Sequence, residues 1–401
     1  MVAGVTVGIN QDPVGRLLAG PRSSYNFVYD EGAVESVSLT MPTTIPAYPH
    51  DSLHPMFAQN LPEGYLGAIV RKAVAKLYDA SDLTLLAALG PHQIGRLRFS
   101  APEVQGTNAA ESRESMAEIL QSKDSKLFDE LLEKYCLRSG LSGVQPKVLL
   151  EATAREKATL RTGGFIVKSW GDDFPCLAAN EYFCLKVAQQ AGLKVPNFDL
   201  SANGKLFVME RFDITDGESF LGFEDACVLQ GLSPREKYSG SYERLAKTIS
   251  TFCSPALRRN SMTQLFISLA VSWAVRNGDA HLKNFGVRYQ NGGAGRTLAP
   301  GFDIVSTVPY LTNDVPALTL AGKKIWWSPK LLASFARIQC QLNNREVTEV
   351  FIRLGKSLVE QTGLIEDYVR VNPEFAEVGG SMVEIFRSSA KQLGEYLDGT
   401  G

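Results

Sequence analysis

Beyond Glu224 the hydrophobic pattern of this chain becomes predominantly helical, after a mixed stretch of strands and helices, and that shift restricts the fold more than any other feature. Before it, short stretches alternate with period two. Val5-Thr6-Val7, Tyr25-Asn26-Phe27-Val28-Tyr29 and Val37-Ser38-Leu39 sit between Gly, Asp and Pro breaks, which predicts a small antiparallel sheet. Pro42, Pro46, Pro49 and Pro55 predict an extended, irregular connection, with helices after it. Ile69, Val70, Ala73, Val74 and Leu77 share one helical face, and residues 83–89 repeat the habit. Residues 101–115, rich in Glu, Ser, Asn and Gly, read as a solvated linker. A short helix at 127–136 precedes strands at 147–150, 165–168 and 206–209. Between the last two strands a helix at 179–191 is closed by Gly192. Beyond Glu224, apolar faces of period 3.6 recur at 245–252, 265–275, 331–338, 347–359 and 382–397. Only a hairpin around Phe285-Gly286-Val287 and Thr297-Leu298 interrupts them. An α+β chain in three parts is expected: a β-rich N-terminal subdomain (1–105), a mixed part (106–223) and a helical part (224–401).

Charge and cysteine usage narrow the partners. With 41 basic and 43 acidic residues the formal charge is −2, so the chain has no global attraction to nucleic acid or an anionic membrane. The start lacks the basic flank and long apolar block of an export signal, and the run 265–275 is too short to span a bilayer, which predicts a cytoplasmic protein. Six cysteines without a CxxC pair predict reduced, mostly buried thiols.

The chemistry concentrates in Asn277-Gly278-Asp279-Ala280-His281-Leu282-Lys283-Asn284 and, beyond the hairpin, Phe302-Asp303. An Asp, an Asn five positions on and a second Asp are what a phosphotransferase needs: a carboxylate beside the acceptor hydroxyl and two oxygen ligands for magnesium. In this reading Gly278 takes a left-handed turn that releases Asp279 as base, Asn284 and Asp303 hold magnesium on the ATP phosphates, and Lys283 neutralises the transferring group. His281 is either part of the nucleotide site or, with the greater weight, a structural hydrogen-bonder. An ordinary Asn/Gly/Asp turn explains the same letters.

Three other segments add to the set. Ser139-Gly140-Leu141-Ser142-Gly143-Val144-Gln145-Pro146-Lys147 is a Gly- and Ser-rich loop ahead of a strand, where backbone N–H groups can approach phosphate, though a flexible connection reads the same. Lys168 ends the apolar strand Gly164-Phe165-Ile166-Val167, where it can pair phosphates, with Glu181 a conceivable partner; solvated lysines at strand ends are common. Glu210-Arg211-Phe212-Asp213 follows another strand and can form an adenine slot or a charged turn.

Ser142-Gly143-Val144-Gln145-Pro146-Lys147, Phe165-Ile166-Val167-Lys168, Asn180-Glu181-Tyr182-Phe183-Cys184, Glu210-Arg211-Phe212-Asp213, Glu224-Asp225-Ala226-Cys227, the 277–284 run and Phe302-Asp303 occur in the order seen in the HipA family of bacterial toxin serine/threonine kinases. The resemblance covers roughly 140–310, and Phe57-Ala58-Gln59-Asn60-Leu61-Pro62-Glu63-Gly64 also looks like that family's N-terminal subdomain. It implies a two-lobed protein-kinase-like fold that uses ATP and Mg2+. By the same resemblance Asp279 is the catalytic base, Asn284 and Asp303 are metal ligands, Lys168 binds phosphate, and Glu210 and Phe212 line the base pocket. It further implies self-phosphorylation of a loop serine, Ser142 or Ser139, a translation component such as an aminoacyl-tRNA synthetase as target, and restraint by a helix-turn-helix antitoxin of HipB type, with DNA reached only through that antitoxin. A small-molecule or lipid-headgroup kinase, or a catalytically silent antitoxin-binding corepressor, are the alternatives.

Overall fold

The computed structural model describes residues 2–104, 114–124, 126–135, 147–156, 159–171, 173–215 and 219–399. The chain divides into two compact units, the first formed by residues 1–169, 201–235 and 288–295, the second by 170–200, 236–287 and 296–401.

In the first unit the N-terminal alternation builds an antiparallel sheet in the spatial order Ala47–His50, Tyr25–Tyr29, Asp12–Ala19, Gly4–Ile9 and Leu97–Ser100. Val5, Val7 and Ile9 face inward, as period two requires. Three strands of this sheet, Asp12–Ala19, Ala47–His50 and Leu97–Ser100, are not among the expected ones, and the expected strand at 37–39 does not form. Ala47–His50 lies within the proline-rich run, because an edge strand needs ladder bonds on one side only and so tolerates Pro49. Around Ser38 only an isolated bridge to Met41 forms. Helices Gly64–Val74 and Asp82–Leu89 follow as predicted, whereas Pro55, expected in the irregular connection, opens the short helix Pro55–Ala58, where its missing N–H costs no helical bond. Leu77 lies past the end of the second helix and is exposed.

A second sheet places Glu114–Ser115 parallel to Lys147–Glu156, then Thr159–Lys168 and Phe207–Glu210 antiparallel in turn. One apolar core runs through both sheets of this unit, with Phe57, Leu86, Val148, Val167 and Val208 among its members. Buried Glu224 takes hydrogen bonds from Ser38 Oγ (2.7 Å) and the Leu39 N–H (2.7 Å), which is why that segment leaves the strand pattern.

The second unit is helical: Leu177–Gln190, Tyr242–Phe252, Pro255–Ala274, Pro329–Ile338, Asn344–Val371 and Ala376–Leu397. Pro255–Ala274 forms its centre. From Met262 onward almost every side chain is buried, so the helix is apolar all round rather than amphipathic. Neighbouring helices lock to one another by side-chain bonds to carbonyls, Ser389 Oγ to Ala274 (2.8 Å) and Ser357 Oγ to Val187 (3.1 Å). Among the described residues no helix is long and apolar enough to cross a membrane. The described cysteines are buried, and none of them forms a disulfide.

Candidate active site

The central helix Pro255–Ala274 delivers the chain to the site. Its end is closed by the Arg276 N–H on the Trp273 carbonyl (3.2 Å) and the Asn277 N–H on the Ser272 carbonyl (2.8 Å). Arg276, at φ 57°, makes the left-handed step, and Gly278 does not. Gly278 serves closeness instead, since a Cβ there would overlap the Asp314 carboxylate. Asn277 Oδ1 then accepts the Asp279 N–H at 3.1 Å.

Asp279 Oδ1 accepts the Tyr238 hydroxyl at 2.6 Å, and no hydrogen bond reaches Oδ2 among the described residues. Burial raises the pKa of Asp279 above the usual carboxylate value, the charges of Asp303 and Asp314 add to that, and the Tyr238 hydroxyl and Lys237 oppose it. His281 donates its N–H to the Asp279 carbonyl (2.7 Å) and to Asn284 Oδ1 (3.1 Å). Its ring is buried beside Tyr238, and desolvation lowers its pKa to about 3, so it is neutral at ordinary pH. Lys283 lies in the single 3-10 turn Leu282–Asn284.

Asn284 Nδ2 donates to Asp303 Oδ2 at 3.2 Å across the hairpin. Asp303 holds φ 58°, a left-handed conformation that Asp adopts more readily than most residues. Two polar anchors fix the segment that follows it. Asn180, fully buried on Leu177–Gln190, donates to the Ser306 carbonyl (2.8 Å) and accepts the Ser306 N–H (2.7 Å). Thr307 Oγ1 accepts the Gly278 N–H (2.9 Å) and donates to the Arg276 carbonyl (3.0 Å). Asp279, Asn284 and Asp303 are thereby gathered within one unit.

The pair Asn284 and Asp303 fits magnesium. Both offer hard oxygens, and the amide oxygen keeps a second lone pair beside the His281 N–H. Among the described residues no group of three or more His, Cys, Asp or Glu side chains gathers there, and an amide with a carboxylate suits an ion that retains water and takes further oxygens from a phosphate.

Lys168, Lys147, Glu210 and Phe212 belong to the first unit. Register pairs Lys147 with Lys168 and Lys168 with Phe207, so two buried lysines share one row of the sheet. Lys168 Nζ lies 5.6 Å from the centre of the Phe207 ring. Glu210 ends its strand opposite Phe165. Phe212 packs edge-on against Phe223 at 5.2 Å, while Arg211 is tied to buried Asp213 at 2.6 Å and 3.0 Å. Ser139, Ser142, Gly143, Val144 and Gln145 lie outside the described residues.

Sequence reasoning did not find Tyr238, Thr307 or Asp314, and it quoted Asn180 without a role. Each acts through contacts distant in sequence, 41 residues from Tyr238 to Asp279 and 126 from Asn180 to Ser306, and no local pattern encodes these.

Comparison with known proteins agrees with the ordered motifs. The profile of the HipA-like C-terminal domain matches residues 139–362, and that of the HipA N-terminal domain matches residues 5–100. The chain belongs to the HipA family. The protein titled “Putative kinase Y4mE” of Sinorhizobium fredii is 26% identical over 413 residues, which covers 94% of this chain and 96% of that protein. “Putative kinase Y4dM” of the same organism is 27% identical over 294 residues, 67% of this chain and 66% of that protein. In fold this HipA-type chain is similar to HipA from the Shewanella oneidensis complex of HipA, HipB and operator DNA, with a TM-score of 0.67, 19% identity and 99% of each chain covered. The expected α+β class, with a β-rich N-terminal region and a helical C-terminal part, is the one observed.

Proposed function

We propose that this HipA-family chain is a magnesium- and ATP-dependent protein serine/threonine kinase, the toxin of a toxin–antitoxin pair. The observation that carries the reading is the gathering of Asp279 with the contacting pair Asn284 and Asp303. Asp279 Oδ2 accepts the proton of the acceptor hydroxyl as that oxygen bonds to the γ-phosphorus. The bond from the γ-phosphorus to the bridging oxygen breaks, and ADP leaves with the electron pair. Asn284 and Asp303 would hold magnesium, which when bound supplies charge neutralisation on the phosphates. Lys283 offsets charge on the transferring group, and Lys168 and Lys147 present cations to the nucleotide. Glu210 and Phe212 face the base.

The kinase titles of the Sinorhizobium relatives support the activity. The fold neighbour with HipB and operator DNA supports a HipB-type antitoxin as partner, with DNA reached through it. A formal charge of −2 fits that indirect route. The acceptor is a protein serine or threonine, a translation component such as an aminoacyl-tRNA synthetase being the target class, with Ser142 or Ser139 as the self-modified residue and a cytoplasmic location. Asp279→Asn keeps the shape and removes the base, so it is expected to bind ATP as the parent does while transfer falls at least about a hundredfold. Labelled Mg-ATP and intact-mass spectrometry read both, and phosphate incorporation at the parental rate would remove Asp279 from the mechanism.

A further inference from the structure

Residues 237–242 lie along the catalytic loop and touch it three times. The Lys237 carbonyl accepts the Leu282 N–H at 3.0 Å, the Tyr238 hydroxyl donates to Asp279 Oδ1 at 2.6 Å, and the Tyr242 hydroxyl donates to the Ala280 carbonyl at 2.9 Å. The two tyrosines differ in a way that separates their roles. Tyr242 is 1% exposed and bonds to backbone, as a packing residue does; Tyr238 is 45% exposed and spends its hydroxyl on an ionisable side chain. A large aromatic ring left half in solvent gains little from burial, so packing alone does not account for Tyr238.

A carboxylate has two oxygens, and a donor on one of them fixes the direction of the other. With Oδ1 accepting the Tyr238 hydroxyl and the Asp279 N–H held by Asn277, one orientation of the carboxylate is favoured, in which Oδ2 has no hydrogen-bond donor among the described residues. We propose that Tyr238 is a positioning residue for phosphoryl transfer, its hydroxyl orienting Asp279 through Oδ1 so that Oδ2 is kept for the acceptor hydroxyl, and its exposed ring forming a wall of the acceptor site. The proposal rests on the kinase reading. It adds a residue on the acceptor side, where the ring meets the His281 edge at 5.1 Å and Lys237 Nζ stands 5.3 Å from its centre. A hydroxyl-bearing acceptor would enter over that surface.

The test uses the full chain with Mg-ATP and compares the parent with Tyr238→Phe and Tyr238→Ala, following ADP release, with water or the chain itself as acceptor, together with the melting temperature. Loss of the hydroxyl is expected to lower kcat between about tenfold and a hundredfold, since a misdirected reacting group costs that much. KM for ATP and the melting temperature of Tyr238→Phe should stay at the parental values, a split that a merely structural tyrosine would not produce. ADP release by Tyr238→Phe at the parental rate would sink the proposal and leave the kinase reading standing. So would parallel losses of ATP affinity and melting temperature, or phosphate mapped onto Tyr238 itself, which would make it an acceptor. A parent that releases no ADP would remove the kinase reading and the proposal with it.

Discussion

Gly278 shows how much one hydrogen atom in place of a methyl can decide. Its sequence neighbours suggest a glycine chosen for a left-handed turn, yet Arg276 makes that turn and Gly278 admits the Asp314 carboxylate at close range. Asp314 Oδ1 accepts the Val315 N–H at 3.0 Å, so its carboxylate must give up that bond to make room. Gly278→Ala is therefore expected to cost about 1 to 3 kcal/mol and to reduce turnover. Adding Asp314→Ala should recover part of both, because the clash and not the backbone angle is the fault. Thermal melts of the two single variants and the double variant measure the coupling, and strictly additive losses would show the account to be mistaken. At this scale the sequence was legible where chemistry is local. Asp279, Asn284 and Asp303 stand out by residue type and order, whereas Tyr238, Thr307 and Asp314 carry no signature until the chain is folded.

Among elements, the helix Leu177–Gln190 does more than cover a core. Through Asn180 it holds the Ser306 peptide on both its N–H and its carbonyl side, and so holds the segment that carries Asp303. Asn180→Ala would leave a buried donor and acceptor without partners, a loss of about 2 to 4 kcal/mol. Because the freed segment bears Asp303, proposed above to hold magnesium, the magnesium concentration for half-maximal ADP release should also rise. An unchanged magnesium requirement would separate Asn180 from the site. The helices were readable because long periodic faces survive noise, as 344–371 and 376–397 do. The alternating strands at 5–7 and Tyr25–Tyr29 were readable too, but two short segments were not, since Ala47–His50 borrows its pairing from Tyr25–Tyr29 and the 37–39 segment gives its polar groups to Glu224. Both outcomes are set by tertiary partners that a window of sequence does not contain.

For the molecule as a whole, half-buried His54 and buried His281 tie stability to pH. His54 caps the helix Pro55–Ala58, its Nδ1 accepting the Met56 N–H at 3.1 Å, and burial, then the charge of His50, lowers its pKa to about 4. The unfolded chain takes up that proton near the ordinary 6.5, before the folded chain does. Stability is therefore full above that value and declines as the pH falls toward 4, by about 2 kcal/mol for this residue. His281 in the second unit acts in the same direction. Buried Glu224, whose pKa is raised by desolvation, opposes them, since its proton is bound more readily in the folded chain. His54→Gln should flatten the decline between pH 6.5 and 4 in denaturant titrations, and a slope equal to the parent's would show that His54 does not titrate in the unfolded chain alone.

Thr307 carries one more implication. A single hydroxyl clasps the two peptides on either side of Asn277, just ahead of Asp279, and it sits four residues beyond Asp303. The spacing of Asp279 from Asp303 is accordingly gauged by that clasp and not by the length of polypeptide from 285 to 302 alone. Evolution can lengthen or trim the tip of that excursion without retuning the chemistry at its root.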